Sequence, residues 1–242
     1  PHNIGWLHEI TNDVVGGKAV VVSFCPLTGT GMVFDGDGSG GRLTCGVSGN
    51  LFNNNLVMYD RRDPLSSATL YPQMMGMGVF GARAGQPLNL LPVVETTWGY
   101  WKTLHPNTTV VGSNQPVNVG NPRRYGQTTY QLYPYDNYRD PQTSPFFSTW
   151  PSQNDNPTRM LYSNKSMTLG VRFGELAKAY PFETMDSQEV INDTIGNQGL
   201  VVVYSADEKL ALPFSRHLNG QMLTFERVPT LDAAVFPFMM RD

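Results

Sequence analysis

The chain contains one internal repeat, at an offset of 180 residues. The segment PHNIGWLHEITNDVVGGKAVVVSF at 1–24 aligns without a gap with PFETMDSQEVINDTIGNQGLVVVY at 181–204. Both copies contain Asn-Asp, then a glycine, then a nearly continuous run of β-branched residues. Two copies are too few for a repeat array, so the alignment indicates a duplication. We therefore expect two similar units related by a pseudo-twofold axis.

Each copy predicts the same local structure. A short amphipathic helix ends in Asn-Asp, a glycine turn follows, and the β-branched run forms a strand buried on both faces. Between the copies, ETTWGYWKTLHP predicts a further helix, which Thr96 or Thr97 can cap and Pro106 ends. Charged residues make up 15% of the chain, against about 25% in typical globular domains. The expected fold is mainly β, a β-rich α+β fold with two pseudo-symmetric repeated β units, a few short helices and a long irregular insertion.

The repeat also sets the expected domain organisation. We predict a single pseudo-duplicated domain over 1–242, with repeat one at 1–63, connecting strands, a helix and an irregular insertion at 64–165, and repeat two at 166–242. The second copy is preceded by SMTLGVRFGELAKAY, which predicts a strand, a glycine turn and a second strand. We expect a corresponding hairpin ahead of the first copy, and we infer that the chain is an internal piece of a longer protein.

The charge distribution argues against nucleic acid as a partner. The net charge is −3, and no basic run occurs that could neutralise a row of phosphates. No stretch approaches the ~18 apolar residues of a membrane span. We therefore expect no transmembrane span in this segment, and any membrane anchor would lie outside it.

Five motifs occur in an order that resembles a known family. They are WLHEITNDVVGGKAVVVSFCPLTGTGMVFD, LTCGVSGNLFNNNLVMYDR, LLPVVETTWGYWKTLHPNTTVV, LGVRFGELAKAYPF and VINDTIGNQGLVVVY. Together they resemble the bacterial and archaeal domain-of-unknown-function family numbered 3179. The resemblance implies an extracytoplasmic setting, periplasmic or at the cell surface. It also implies a Cys-Pro-Leu-Cys motif, of which this chain keeps Cys25 but has Thr28 in place of the second cysteine, while Cys45 stands where the family usually has an aromatic residue.

The candidate metal or redox residues are His8, Cys25 and Cys45. A thiolate with an imidazole can hold copper(I) or zinc, or can form an activated nucleophile. The second copy has Gln188 and Ser205 at the positions of His8 and Cys25, so these two residues look like additions to one copy. The alternatives are a buried structural cysteine with a packing histidine, and a disulfide between Cys25 and Cys45.

The irregular insertion supplies a second kind of candidate. Residues 113–160 lack periodicity and are rich in Asn, Gln, Pro and Tyr. Tyrosine, tryptophan and arginine are the residues that protein interfaces favour, and the alternative is an ordinary polar loop. The partner-binding candidates are Arg123, Arg124, Tyr125, Tyr130, Tyr133, Tyr135, Tyr138, Arg139 and Trp150.

These observations support three candidate functions, which we rank as follows. The first is a non-catalytic accessory or binding subunit that docks on a larger assembly of other protein subunits, of which a membrane-bound electron-transfer or photosynthetic complex is one form. The second is a copper- or zinc-binding or thiol redox protein centred on His8 and Cys25. The third is a thiol-dependent enzyme, and we assign no catalytic residue.

Overall fold

The β-branched runs of the sequence form antiparallel strands. The computed structural model describes residues 2–38, 40–110, 133–143, 162–163, 165–228 and 239–241. In this described part, two short α-helices accompany several antiparallel sheets, so the prediction of a mainly β fold is confirmed. The chain divides into two compact units, one formed by 1–93 with 110–160 and the other by 94–109 with 161–242. The single-domain organisation stays a prediction.

The described residues of the first unit form two antiparallel sheets. Helix α1 (His2–His8) leads into β1 (Ile10–Val15), β2 (Lys18–Cys25), β3 (Thr30–Asp35), β4 (Cys45–Phe52), β5 (Asn55–Asp60), β6 (Leu70–Pro72) and β7 (Leu90–Leu91). The order in one sheet is β1-β2-β3-β7, and in the other β4-β5-β6. Between Leu65 and Ser67 the chain makes one turn of 3-10 helix.

The core of the first unit joins its two sheets. Alternate side chains of β2 point inward, which places Val21 and Cys25 in one buried cluster with Phe34 of β3. Cys45 of β4 and Met58 of β5 belong to the same cluster. The inward face of β2 is therefore the structural centre of this unit.

The second unit is built around another three-stranded sheet. Helix α2 spans Trp98–Leu104, and the strands are β8 (Thr168–Phe173), β9 (Leu176–Pro181), β10 (Gln188–Ile195), β11 (Gln198–Ser205), β12 (Leu210–Ser215), β13 (His217–Leu218), β14 (Gln221–Met222), β15 (Glu226–Val228) and β16 (Met239–Arg241). A turn of 3-10 helix at Phe182–Thr184 joins β9 to β10. The order β10-β11-β12 forms the sheet, and β8 and β9 form a hairpin. Leu200 and Val202 of β11 share a buried cluster with Tyr180 of that hairpin.

The predicted helix ending in Asn-Asp is wrong in both copies. Helix α1 ends at His8, and Asn12 and Asp13 lie within strand β1. In the second copy the corresponding residues lie within β10. The physical reason is a non-local pair of hydrogen bonds, because the Asn12 amide donates to the carbonyl of Cys45 at 2.9 Å and accepts from its N–H at 2.8 Å. That pairing holds the segment in extended form.

The strand pairing repeats at the offset of the sequence. In the first copy Asn12 pairs with Val21, and in the second Asn192 pairs with Val201. Asn192 also holds the backbone of Phe225, at 2.6 and 2.8 Å, as Asn12 holds that of Cys45. The pseudo-twofold relation between the copies stays a prediction.

The helix predicted between the copies is confirmed. Thr97 caps α2 by accepting a hydrogen bond from the N–H of Tyr100 at 3.4 Å. With seven residues each, neither α1 nor α2 is long enough to cross a membrane, and the described part of the chain has no other α-helix.

Candidate functional site

Cys25, the candidate metal or redox residue, lies next to the β2–β3 turn of the first unit and has polar neighbours. Cys25 is buried at the end of β2, and its sulfur accepts a hydrogen bond from the N–H of Leu56 at 3.3 Å. The thiol also makes a long contact, 3.9 Å, to the carbonyl of Asn54. Asn53 and Asn54 have φ angles of 49° and 64°, which suit the two-residue turn between β4 and β5. The thiol is therefore engaged by the backbone of a neighbouring hairpin.

The side-chain amides of two buried residues hold the β2–β3 turn by hydrogen bonds. The Asn55 amide donates to the Thr28 hydroxyl at 3.0 Å and to the Gln73 carbonyl oxygen at 2.8 Å. The Gln73 amide in turn donates to the Ser23 hydroxyl and to the Thr30 carbonyl, both at 3.0 Å. Buried polar groups whose hydrogen bonds are satisfied in this way rigidify and specify the structure around them.

An aromatic and arginine cluster covers the turn from the outside. The Tyr133 hydroxyl donates to the carbonyl of Pro26 at 2.8 Å, and its ring packs edge-on against Trp6 of α1 at 5.6 Å. The Arg139 guanidinium lies 5.1 Å from the Trp6 ring and 5.2 Å from the Tyr133 ring. We call Trp6, Tyr133 and Arg139 the Arg139 cluster. Burial raises the pKa of Tyr133 to about 12, although the nearby guanidinium acts in the opposite direction.

Helix α1 is seated by a close contact. A Cβ atom on Gly5 would lie 2.9 Å from the Cβ of Phe24, so only glycine allows the helix to approach β2 this closely. The His2 ring stacks on Phe24 with centroids 4.6 Å apart, and burial lowers the pKa of His2. These contacts position Trp6 beside Tyr133.

The candidate metal and redox residues lie in different environments. His8 is exposed at the end of α1, whereas Cys25 and Cys45 are buried. Both thiols are free, so the disulfide alternative is wrong. Burial, with the charge of Asp60 as a second cause, raises the pKa of Cys45 to about 12. Within the ranges that the structure describes, no three His, Cys, Asp or Glu side chains are placed to hold a metal ion.

The partner-binding candidates divide into two groups. Tyr135 packs against Tyr133 at 5.7 Å, Tyr138 is buried, and Arg139 is exposed. These side chains lie in the segment that covers the β2–β3 turn. The other candidates lie outside the described residues: Arg123, Arg124, Tyr125, Tyr130 and Trp150.

Sequence reasoning missed a buried carboxylate next to Cys45. Asp60 pairs with Cys45 across β4 and β5 and is completely buried. The Arg62 guanidinium binds both of its oxygens, at 3.0 and 2.6 Å, and Arg83 lies 3.7 Å away. Asp63 in turn pairs with Arg83. The signal that could have found this network is the charged run DRRD, which begins at the last residue of a buried strand.

One comparison with known proteins identifies a family. The model described as Protein of unknown function (DUF3179) matches residues 1–240. The chain belongs to the DUF3179 family. No curated protein and no solved structure matches it.

Thr28 links the turn that follows Cys25 to a neighbouring turn. The hydroxyl of Thr28 accepts the hydrogen bond from the Asn55 amide. Here a hydrogen bond therefore joins the β2–β3 turn to the β4–β5 turn, and Cys25 keeps its backbone contacts.

Proposed function

We propose that this DUF3179 protein is a non-catalytic accessory or binding subunit that docks on a larger assembly through the Arg139 cluster. The observation that carries the proposal is an exposed guanidinium held against the rings of Trp6 and Tyr133. Arginine, tyrosine and tryptophan are the residues most often found at interface hot spots. This cluster offers all three at one place on the surface.

The side chains of the Arg139 cluster are already held in place by their own chain, and this supports the proposal. Docking costs free energy when long side chains must be immobilised, about 0.5–1.5 kcal/mol for each one. Arg139 is held by two rings, and Tyr133 is fixed by its hydrogen bond to Pro26. A partner would therefore meet a surface whose side chains lose little further freedom.

The environment of the thiols favours binding over thiol chemistry. A reactive cysteine needs an accessible thiolate. Cys25 is buried with its sulfur in backbone contacts, and Cys45 is buried with a raised pKa. Neither arrangement favours a nucleophile or a redox thiol.

The proposed setting is extracytoplasmic, periplasmic or at the cell surface, and it rests on the family resemblance. The proposed partners are other protein subunits of a larger assembly, for which a membrane-bound electron-transfer or photosynthetic complex is one candidate. The net charge of −3 argues against nucleic acid.

Substitution of Arg139 tests the proposal. Arg139→Ala removes the guanidinium, and Arg139→Lys keeps the charge but loses the planar group that stacks on both rings. Both variants should associate with the native assembly at least about tenfold more weakly, as expected for an interface hot spot. Association is measured by co-purification and titration of the tagged protein from its own host.

The matched control is Arg172→Ala, which removes an exposed arginine from β8 of the other unit. Its association should equal that of the wild type. Unfolding midpoints are measured for every variant, so that a loss of folding is separated from a loss of docking. A folded Arg139→Ala protein that associates as well as the wild type would contradict the proposal.

The copper- or zinc-binding alternative centred on His8 and Cys25 stays a prediction. Elemental analysis of the protein purified from its own host checks it. One metal per chain that is lost in His8→Ala would favour this alternative over the accessory subunit.

A further inference from the structure

Three methionines lie within four positions of the first unit, just after strand β6. They are Met74, Met75 and Met77. Methionine side chains usually pack inside a core, but Met74 is 57% exposed and Met77 is 39% exposed. Neither side chain belongs to the buried cluster that joins the two sheets of this unit. Core packing therefore does not account for these thioethers.

The methionines belong to a turn that is closed by backbone hydrogen bonds. The N–H of Gly76 donates to the carbonyls of Pro72 and Gln73, at 3.1 and 3.2 Å. Gly76 has a φ angle of 58°, a left-handed conformation that favours glycine. Met74 and Met75 are thus the two central residues of a four-residue turn that begins at Gln73 and ends at Gly76.

The same turn is attached to the body of the unit on both sides. The N–H of Met74 donates to the side-chain carbonyl of Asn55 at 3.0 Å, and the Asn55 amide also binds the side chain of Gln73 at 2.8 Å. After the turn, the carbonyl of Gly76 accepts a hydrogen bond from the N–H of Leu88 at 2.6 Å. A ligand of the methionines would therefore meet a backbone that is already ordered, which lowers the cost of binding.

Met77 has an equally fixed backbone position, directly after the turn. It forms an antiparallel bridge with Pro87. The N–H of the next residue, Gly78, donates to the carbonyl of Gln86 at 3.0 Å. A Cβ atom on Gly78 would collide with the carbonyl oxygen of Arg83, so only glycine allows the chain to pass there. These contacts hold Met77 next to the two central residues of the turn.

The chemistry of thioethers indicates which ligand such a turn would take. Soft sulfur ligands select copper(I), whereas carboxylate and carbonyl oxygens suit hard cations such as magnesium and calcium. A methionine side chain has three rotatable bonds, so the sulfurs of neighbouring positions on one turn can reach a common ion. A thioether also has no proton to lose, so protons do not compete with the metal for it as they do for thiolate and imidazole ligands.

We propose that the turn carrying Met74, Met75 and Met77 is a binding site for one copper(I) ion, held by the three thioethers. The site shares no ligand with the metal-binding alternative centred on His8 and Cys25. It also goes beyond docking through the Arg139 cluster, because neither proposal requires the other.

Titration with silver(I), followed by NMR of the methionine methyl groups, tests this proposal. Silver(I) is a soft monovalent ion like copper(I) and needs no reductant. The methyl signals of Met74, Met75 and Met77 should move together and should stop moving at one ion per chain. The signals of Met167 and Met222, each 49% exposed in the other unit, should not move. Equal shifts of all these methyl groups, or no shift at the turn, would overturn the proposal.

Leucine variants measure the contribution of single sulfurs. Met74→Leu and Met77→Leu nearly keep the volume and the apolar character of the side chain but remove the ligand atom. Each variant should bind copper(I), kept reduced by ascorbate and measured in competition with the chelator bicinchoninate, at least about tenfold more weakly than the wild type. Met222→Leu is the matched control and should bind as the wild type does. Wild-type affinity in both turn variants would show that the thioethers are not ligands.

The dependence of copper(I) affinity on pH separates this site from the thiol and imidazole alternative. After correction for protonation of the chelator, the affinity should be the same at about pH 5 and about pH 8, because the thioethers carry no proton. Cys25 and Cys45 are buried, so they should not take the ion in the folded protein. An affinity that falls on acidification and is lost in His8→Ala would assign the metal to His8 and Cys25 and would overturn the proposal.

Discussion

Exchanging Cys25 and Ser205 tests whether the thiol of the first copy serves packing rather than chemistry. The two residues occupy corresponding positions at the ends of β2 and β11, and both are buried. The sulfur of Cys25 accepts a hydrogen bond from Leu56. The hydroxyl of Ser205 is the one buried side-chain group in the described part of the chain that has no hydrogen-bond partner.

The expected changes in stability have opposite signs. In Cys25→Ser the shorter Cβ–O bond withdraws the acceptor from Leu56, and an unsatisfied buried N–H costs ~1–3 kcal/mol. Urea denaturation should therefore shift to a lower midpoint, by about 0.3–1.5 M for a slope of about 2–3 kcal/mol/M. Ser205→Cys replaces an unsatisfied hydroxyl by a weakly polar thiol, so its free energy of unfolding should rise by up to ~1 kcal/mol.

Thiol titration of the native protein completes the test. If Cys25 becomes accessible only through an opening that costs ~3–5 kcal/mol, it reacts about 10²–10⁴ times more slowly than a free thiol. Both cysteines should react at the free rate once the protein is unfolded. Rapid titration of native Cys25, or a Cys25→Ser protein as stable as the wild type, would refute the packing argument and favour thiol chemistry.

Three further outcomes follow from the same structure. Asp60→Asn should lower the free energy of unfolding by ~3–5 kcal/mol in urea titrations, because it leaves Arg62 without its buried partner; Asp35→Asn, whose partner Lys18 is 48% exposed, should shift the midpoint much less. Asn12→Ala should cost ~1–3 kcal/mol, since two backbone groups lose their partner. The pKa of Cys45 is raised from its ordinary 9.0 to about 12, so its stabilising effect is complete below pH 9 and is lost as the pH rises towards 12; alkaline urea titrations of Cys45→Ala against the wild type check this.

The fold features that could be predicted from the sequence are the local ones. Runs of β-branched residues identified β2 and β11, and a threonine cap identified α2, because each signal lies within the element itself. Strand β1 was missed because Asn12 is held in an extended conformation by hydrogen bonds to the backbone of Cys45, which lies 33 residues away in the sequence. The local sequence of a short polar segment does not show whether the segment ends a helix or pairs as a strand.

The candidate site could be predicted only in part, for a related reason. Cys25 stood out by residue type, but Asn55 and Gln73, which hold its turn, are ordinary polar residues until the fold brings them together. Tyr133 and Arg139 were predicted to bind a partner, which stays a prediction, and their packing against Trp6 of α1 had no signal in the sequence. Residue preference alone does not show which parts of its own chain an interface residue packs against.

The two copies of the sequence repeat cover their sheets differently, and this difference supports the proposed docking surface. In the second copy a hairpin covers Val202 and binds Asp193, so that face is completed by the unit itself. Among the described residues of the first copy, a helix and the Arg139 cluster lie at the end near Phe24, and Val22 is 39% exposed. A cover that serves packing alone has no need of an exposed guanidinium stacked on two rings. If the Arg139 cluster is the docking surface, variants in the cover of the first copy, rather than in the second copy, are the ones expected to separate binding from stability.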